Sequence, residues 1–191
     1  MKKEGLRDKL FNNDIDIRQR LFVLNVLVTE IILFVDLVEV IFLDEILYDK
    51  LLLLFAMIAI CLVCVITVKK NVVGFGAAFI CFGLGFIFIP ISFINGGGIN
   101  GDCPIWFVYI ILMISILLTG KTRIAFLIGE LLIGTACYYI DLFHPELIVP
   151  TSREWGVVFS YISLVMIGIA TSIMVTLEIT LFTKEKKRTE E

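Results

Sequence analysis

Charge is scarce in this chain and histidine nearly absent. Asp, Glu, Lys and Arg make up 18% of its 191 residues, against about a quarter in ordinary soluble domains, and His144 is the single imidazole. One histidine makes no metal site by itself, and no Ser-His-Asp, HExxH, Walker or GxSxG pattern occurs. Membrane proteolysis and nucleotide hydrolysis therefore lack sequence support, and no enzyme activity, metal or cofactor is expected. A disulfide framework is missing as well. Of the five cysteines, Cys61, Cys64, Cys81 and Cys137 lie in apolar runs, and Cys103 lies in an expected outer loop without a loop partner. The CxxC of Cys61 and Cys64 encloses only Leu and Val, which favours packing as small hydrophobes over a metal or redox site. There is no cleavable leader either: residues 1–20 are polar and charged, with no apolar core beside the basic start, so the first span must act as its own insertion signal.

What is abundant is apolar surface. A hydrophobic share of 59% and a mean hydropathy of +1.00 exceed what a soluble domain of this length carries. The expected fold class is an all-α integral membrane protein, a bundle of six transmembrane helices. The runs are Leu21–Leu43, Leu51–Val68, Val72–Ile94, Ile105–Thr119, Ile124–Ile140 and Gly156–Phe182. About 20 helical residues cross roughly 30 Å of hydrocarbon, so the fourth and fifth runs are short. The chain then divides into a lead of residues 1–20, a membrane domain of 21–182 and a charged helical tail of 183–191.

Placement of the basic residues orients this bundle. With both termini inside, fourteen of the sixteen Lys and Arg face the cytoplasm, leaving Lys50 and Arg153 outside. The outer loops carry Asp44, Glu45, Asp49, Asp102, Glu146 and Glu154 instead. The net charge of -3 has little meaning apart from this distribution.

Five carboxylates, Glu30, Asp36, Glu39, Glu130 and Glu178, fall within or near spans, with no Lys or Arg deep inside to pair with them. A lone ionised carboxylate in hydrocarbon costs several kcal/mol, so each is expected to face the interior, reach an interface or take up a proton. At 100° per residue Asn25, Thr29, Asp36 and Glu39 share one sector of about 80°, and Glu30 points away. This stripe suits a cation or proton path, a ligand pocket, or merely wet helix ends. Glu30 and Glu130 lie deeper and can share a proton across a helix pair.

The one long polar break is Gly96–Phe107, GGGINGDCPIWF. Gly96, Gly97 and Gly98, followed by Asn100, Gly101, Asp102 and Pro104, end the helix, and Trp106 re-enters an apolar run as an interface aromatic would. It is either a receiving surface or only a turn. Beneath it, Pro90 and the glycines at 74, 76, 83 and 85 favour close helix packing with a bend in the third span. His144 and Glu146 sit in the last outer loop, in FHPEL.

The glycine-rich loop ending in Pro-x-Trp-Phe, the inner turn GKTR (Gly120–Arg123), the HPE loop (His144–Glu146) and an exit into a charged helix together resemble the six-helix membrane input module at the N-terminus of many clostridial sensor histidine kinases and some diguanylate cyclases. The resemblance runs from Val72 to the C-terminus. It implies a multi-pass protein of a bacterial plasma membrane, a homodimer, that relays an outside or intramembrane stimulus through the sixth helix to a cytoplasmic output domain. No cytoplasmic histidine, ATP-binding region or GGDEF string lies in these 191 residues, so under this resemblance the expectation is either a fragment cut at the membrane exit or a free-standing membrane half.

The expected receiving residues are Gly96, Gly97, Gly98, Asp102, Pro104, Trp106, His144 and Glu146. The ligand is unnamed; a cationic or amphipathic peptide suits the acidic and aromatic outer residues Tyr48, Trp106, Trp155, Asp102, Glu146 and Glu154. Nucleic acid is not an expected partner. Two alternatives stand beside this reading: a six-helix transporter component that binds a small molecule, and a proton or cation carrier using Glu30 and Glu130.

Overall fold

The computed structural model describes residues 17–42, 47–150 and 152–190, and among them all regular structure is helical. Six long elements follow the six apolar runs. They are α1 (Ile17–Phe42), α2 (Leu47–Lys70), α3 (Val73–Asn95), α4 (Cys103–Leu117), α5 (Gly120–Phe143) and α6 (Arg153–Glu190). Five are long and apolar enough to cross a membrane, and α4 is a shorter apolar helix. The expected lead before residue 17 lies outside the described residues, as does Leu43.

The outward faces support a membrane setting. Phe55 on α2, Phe75 on α3 and Leu142 on α5 are each at least 70% exposed, and α6 turns Val157, Tyr161, Leu164 and Ile169 outward. Contiguous apolar surface of this extent is untenable in water and natural against lipid.

The shortest helix occupies the middle. At about 1.5 Å per residue α4 is about 22 Å long, yet it touches α1, α3, α5 and α6. Its residues Trp106, Phe107, Tyr109, Ile110, Met113 and Ile114 are buried. A helix that is apolar all round and surrounded by others need not match the bilayer thickness by itself. Around it, α2 packs on α1 and α3, α5 on α3 and α4, and α6 on α1 and α4.

Two connections are tighter than the apolar runs suggest. At the end of α2, Asn71 takes a left-handed conformation (φ 54°) and the Val72 amide reaches back 3.2 Å to the Thr67 carbonyl. This is a Schellman ending, with Lys69 and Lys70 favourably placed in the last turn. The GKTR segment, expected as a turn, forms the first turn of α5; only Leu118 and Thr119 link it to α4. Both take extended conformations, and Gly120 at φ 61° turns the chain at once. That glycine makes a four-residue loop unnecessary.

Where a bend is expected in α3, the structure has a change of helix type. Phe82–Phe88 is a π-helical stretch between α-helical Val73–Cys81 and Ile89–Asn95. Pro90 cannot donate to the ladder, and its ring crowds the carbonyl four residues back, so a wider turn just before it relieves the conflict.

Candidate functional site

Two groups of polar side chains stand out, one at the end of the bundle that holds the α3–α4 connection and one midway along the helices. At that end the glycine-rich segment is folded into the bundle. Gly97 and Gly98 have φ of 89° and 61° and are buried, and only Ile99 and Asn100 of the segment are exposed. A Cβ at Gly98 would collide with the Asp141 carboxylate, which accepts the Ile99 amide at 2.5 Å. Asp102 is the junction: its Oδ2 accepts the Trp106 indole N–H at 2.9 Å and the Ser163 hydroxyl at 2.8 Å. Ser160 donates to the Gly101 carbonyl at 3.0 Å, and the Val149 amide to Ile94 at 2.9 Å. The loop therefore joins α3, α4, α5 and α6.

This arrangement corrects several expectations. Trp106 is 5% exposed inside α4, so it is no interface aromatic. Cys103 begins α4 and is buried; it is not in a loop. Pro104 is half-buried in the first turn of α4, and Gly96 is half-buried at the end of α3. Of the expected receiving residues, only His144 and Glu146 are openly exposed. His144 Nδ1 lies 3.2 Å from Glu146 Oε1. The Glu146 carboxyl is held below its ordinary range, first by its own backbone amide and then by His144. Trp155 and Glu154 are exposed nearby in sequence, whereas the Tyr48 and Glu39 side chains lie outside the described residues.

Asp141, Ser160 and Ser163 were missed by sequence reasoning. The available signal was faint: two serines three residues apart in the first third of an apolar span, which an amphipathicity argument reads as packing.

In the membrane interior the polar stripe of α1 meets α4. Asn25 and Thr29 are 2% and 1% exposed. Thr29 donates to the Asn25 carbonyl at 2.9 Å, which makes the buried Tyr109 hydroxyl the donor in its 2.8 Å bond to Thr29. Asn25 gives its amide to Leu21, and its Oδ1 has no partner. Asp36, farther along the helix, is half-buried, as is Glu178 near the other end of α6.

Glu30 and Glu130 occupy different interfaces. Glu30 turns to α2, where the Cys61 thiol donates to it at 3.3 Å, and Cys61 is exposed on the bundle surface, contrary to the expected burial. Glu130 lies between α5, α3 and α4, 1% exposed, with neither oxygen hydrogen-bonded. No hydrogen bond joins the two acids, so the proton shared between them is not a feature of this packing. Glu130 is accommodated by glycine: a Cβ at Gly85 would strike its Oε2 and come within 2.9 Å of Ile110. Beside it Phe86 covers Gly129, where a Cβ would come within 2.6 Å of the ring. Small residues thus let α3 and α5 cross closely at the π turn.

Among the described residues no group of three or more His, Cys, Asp or Glu is arranged to hold a metal ion. Compared with protein-family models, curated proteins and solved structures, the chain matches none.

Proposed function

We propose that the chain is a signal-receiving membrane module whose sixth helix carries the response to a cytoplasmic output. One observation carries this reading: α6 is bonded to the outer loop through Ser160 and Ser163 and continues without interruption to Glu190. Its 38 residues measure about 57 Å, well beyond roughly 30 Å of hydrocarbon. A helix anchored at the outer end and rigid through the membrane can transmit rotation or a piston shift, because packed elements shift between discrete arrangements.

The resemblance to kinase and cyclase input modules supports the same reading through the order of its short motifs. It brings a homodimer, a histidine kinase or diguanylate cyclase as output, and no catalysis by this segment. The charge distribution supports six spans with both termini in the cytoplasm, and the resemblance brings a bacterial plasma membrane. The receiving surface is best drawn around exposed Asn100, His144, Glu146, Glu154 and Trp155, whose acidic and aromatic character suits a cationic peptide.

The test is a fusion in which α6 leads in register into the dimerising helix of a soluble histidine kinase. Insertion of one to four residues after Phe182 should change kinase output with helical periodicity, and Ser163→Ala should shift its basal level. Output indifferent to both would remove the proposal.

A further inference from the structure

Pro90 follows the π stretch by two residues, and proline has no amide hydrogen. The Ile89 amide goes five residues back, to the Leu84 carbonyl. The next amide in that ladder would belong to residue 90 and would serve Gly85. The Gly85 carbonyl is therefore skipped: its α-type donor, Ile89, is committed elsewhere, and its π-type donor does not exist.

Glu130 lies against that same residue. Its Oε2 fills the space a Gly85 side chain would need, both its oxygens lack partners, and it is 1% exposed near the middle of its helix. Among the described residues the titratable groups that interact with it are thiols, Cys81 on α3 and Cys137 on α5. From α4, Ile110 shares the space over Gly85 with it, and the Tyr109 hydroxyl is turned to Thr29. No basic group among the described residues acts on it.

An ionised carboxylate in this setting is strongly disfavoured, whereas a carboxylic acid carries one O–H donor and needs one acceptor. The skipped carbonyl, on the residue whose side-chain space Oε2 fills, is an acceptor of that kind. A hard cation such as calcium or magnesium needs six or so oxygen ligands, which a carboxylate, one carbonyl, two thiols and an isoleucine cannot furnish.

We propose that Glu130 and the π turn of α3 form a proton-binding site inside the membrane, with the Glu130 hydroxyl bonded to the main-chain oxygen that Pro90 leaves free. Binding adds one proton to a carboxylate oxygen, release returns it to water, and no other bond changes. The site stands independently of the signalling reading.

Infrared spectroscopy of the full chain in lipid vesicles tests it. At neutral pH the unaltered protein should show the C=O stretch of a protonated carboxyl, retained in Glu30→Gln, lost in Glu130→Gln and unmoved when sodium replaces potassium. Carboxyl-labelled glutamate should shift that band both in the unaltered chain and in Glu30→Gln, which assigns it to a glutamate other than Glu30 if Glu130→Gln fails to accumulate. Absence of any protonated-glutamate band in the unaltered chain, its persistence in Glu130→Gln, or its loss on adding sodium at fixed pH would each overturn the assignment.

Discussion

The Glu130 carboxyl sits where a side chain at Gly85 would have to be, so the identity of residue 85 is set by a residue 45 positions away on another helix. An alanine there must displace the acid, Ile110 or the helix itself. Gly85→Ala should cost about 1–3 kcal/mol, the usual penalty of overpacking a tight interior. Gly83, two residues away in the same π stretch, has nothing within 4 Å of its would-be Cβ. Gly83→Ala should therefore be neutral or gain up to about 1 kcal/mol from helix propensity. Thermal unfolding in detergent distinguishes the two, and equal effects would mean that the contact with Glu130 is not limiting.

Asp102 serves two donors at once, Trp106 and Ser163. Asp102→Ala strands both and should cost about 2–4 kcal/mol, whereas Ser163→Ala removes one bond and should cost about 1 kcal/mol. The double variant should be less destabilised than the sum, with a coupling of at least about 0.5 kcal/mol. In a Trp155→Phe background Trp106 is the only indole, so Asp102→Ala should also move its emission to longer wavelength. Additive costs with unchanged emission would argue that the carboxylate does not hold the loop to α6.

The helices themselves were legible because hydrocarbon-spanning runs and charged breaks are a strong signal, and each predicted run lies within a few residues of a helix. Which residues face inward was not. Lipid-facing and core-facing positions are equally apolar in a membrane bundle, so Phe55 and Phe107, one outside and one buried, look alike in sequence. For the same reason nothing marked the short α4 as central. The loop Gly96–Phe107 was readable as a break in the helix, but its inward fold depends on serines of α6 and Asp141 of α5, contacts 42 to 61 residues distant in sequence. Glu130 was visible as an odd acid; its seat at a π turn was not, because no local pattern announces that turn.

The bond between Tyr109 and Thr29 ties α4 to α1. Tyr109→Phe should cost little, since hydrogen bonds between membrane helices average about 0.6 kcal/mol in double-mutant cycles and seldom exceed about 1.7. Thr29→Val leaves the tyrosine hydroxyl without its acceptor in a dry interior and should cost more than Tyr109→Phe. A cycle between the two, measured by unfolding in mixed micelles, should give a coupling near about 0.6 kcal/mol; a coupling of zero would place the bond outside the packed state.

Glu146 lies in the exposed HPE turn, and its carboxyl is depressed below the ordinary range, first by its own amide and then by His144. A carboxyl depressed on folding contributes above its unfolded pKa and loses that contribution as pH falls through the folded one. The turn should thus be unchanged from neutral down to mildly acid pH and loosen only in stronger acid. Carbon-detected titration of Glu146 by nuclear magnetic resonance should find a value under that of a free glutamate. His144→Ala should raise it only in part, because the first cause remains.

Orientation follows from charge and can be read from two exposed sites. Asn100 sits at the tip of the α3–α4 connection and Lys121 in the first turn of α5, at the opposite end of the short α4. If most basic residues are held in the cytoplasm, as the proposed topology requires, the Asn100 end is the outer one. The native thiols are buried or embedded along apolar helices, which keeps them from a charged, membrane-impermeant thiol reagent. In intact cells Asn100→Cys should therefore be labelled directly, and Lys121→Cys only after the membrane is opened. The reverse pattern would invert the bundle and put the Asp102 junction on the cytoplasmic side; labelling of neither in opened cells would mean that the ends of α4 do not reach the two surfaces.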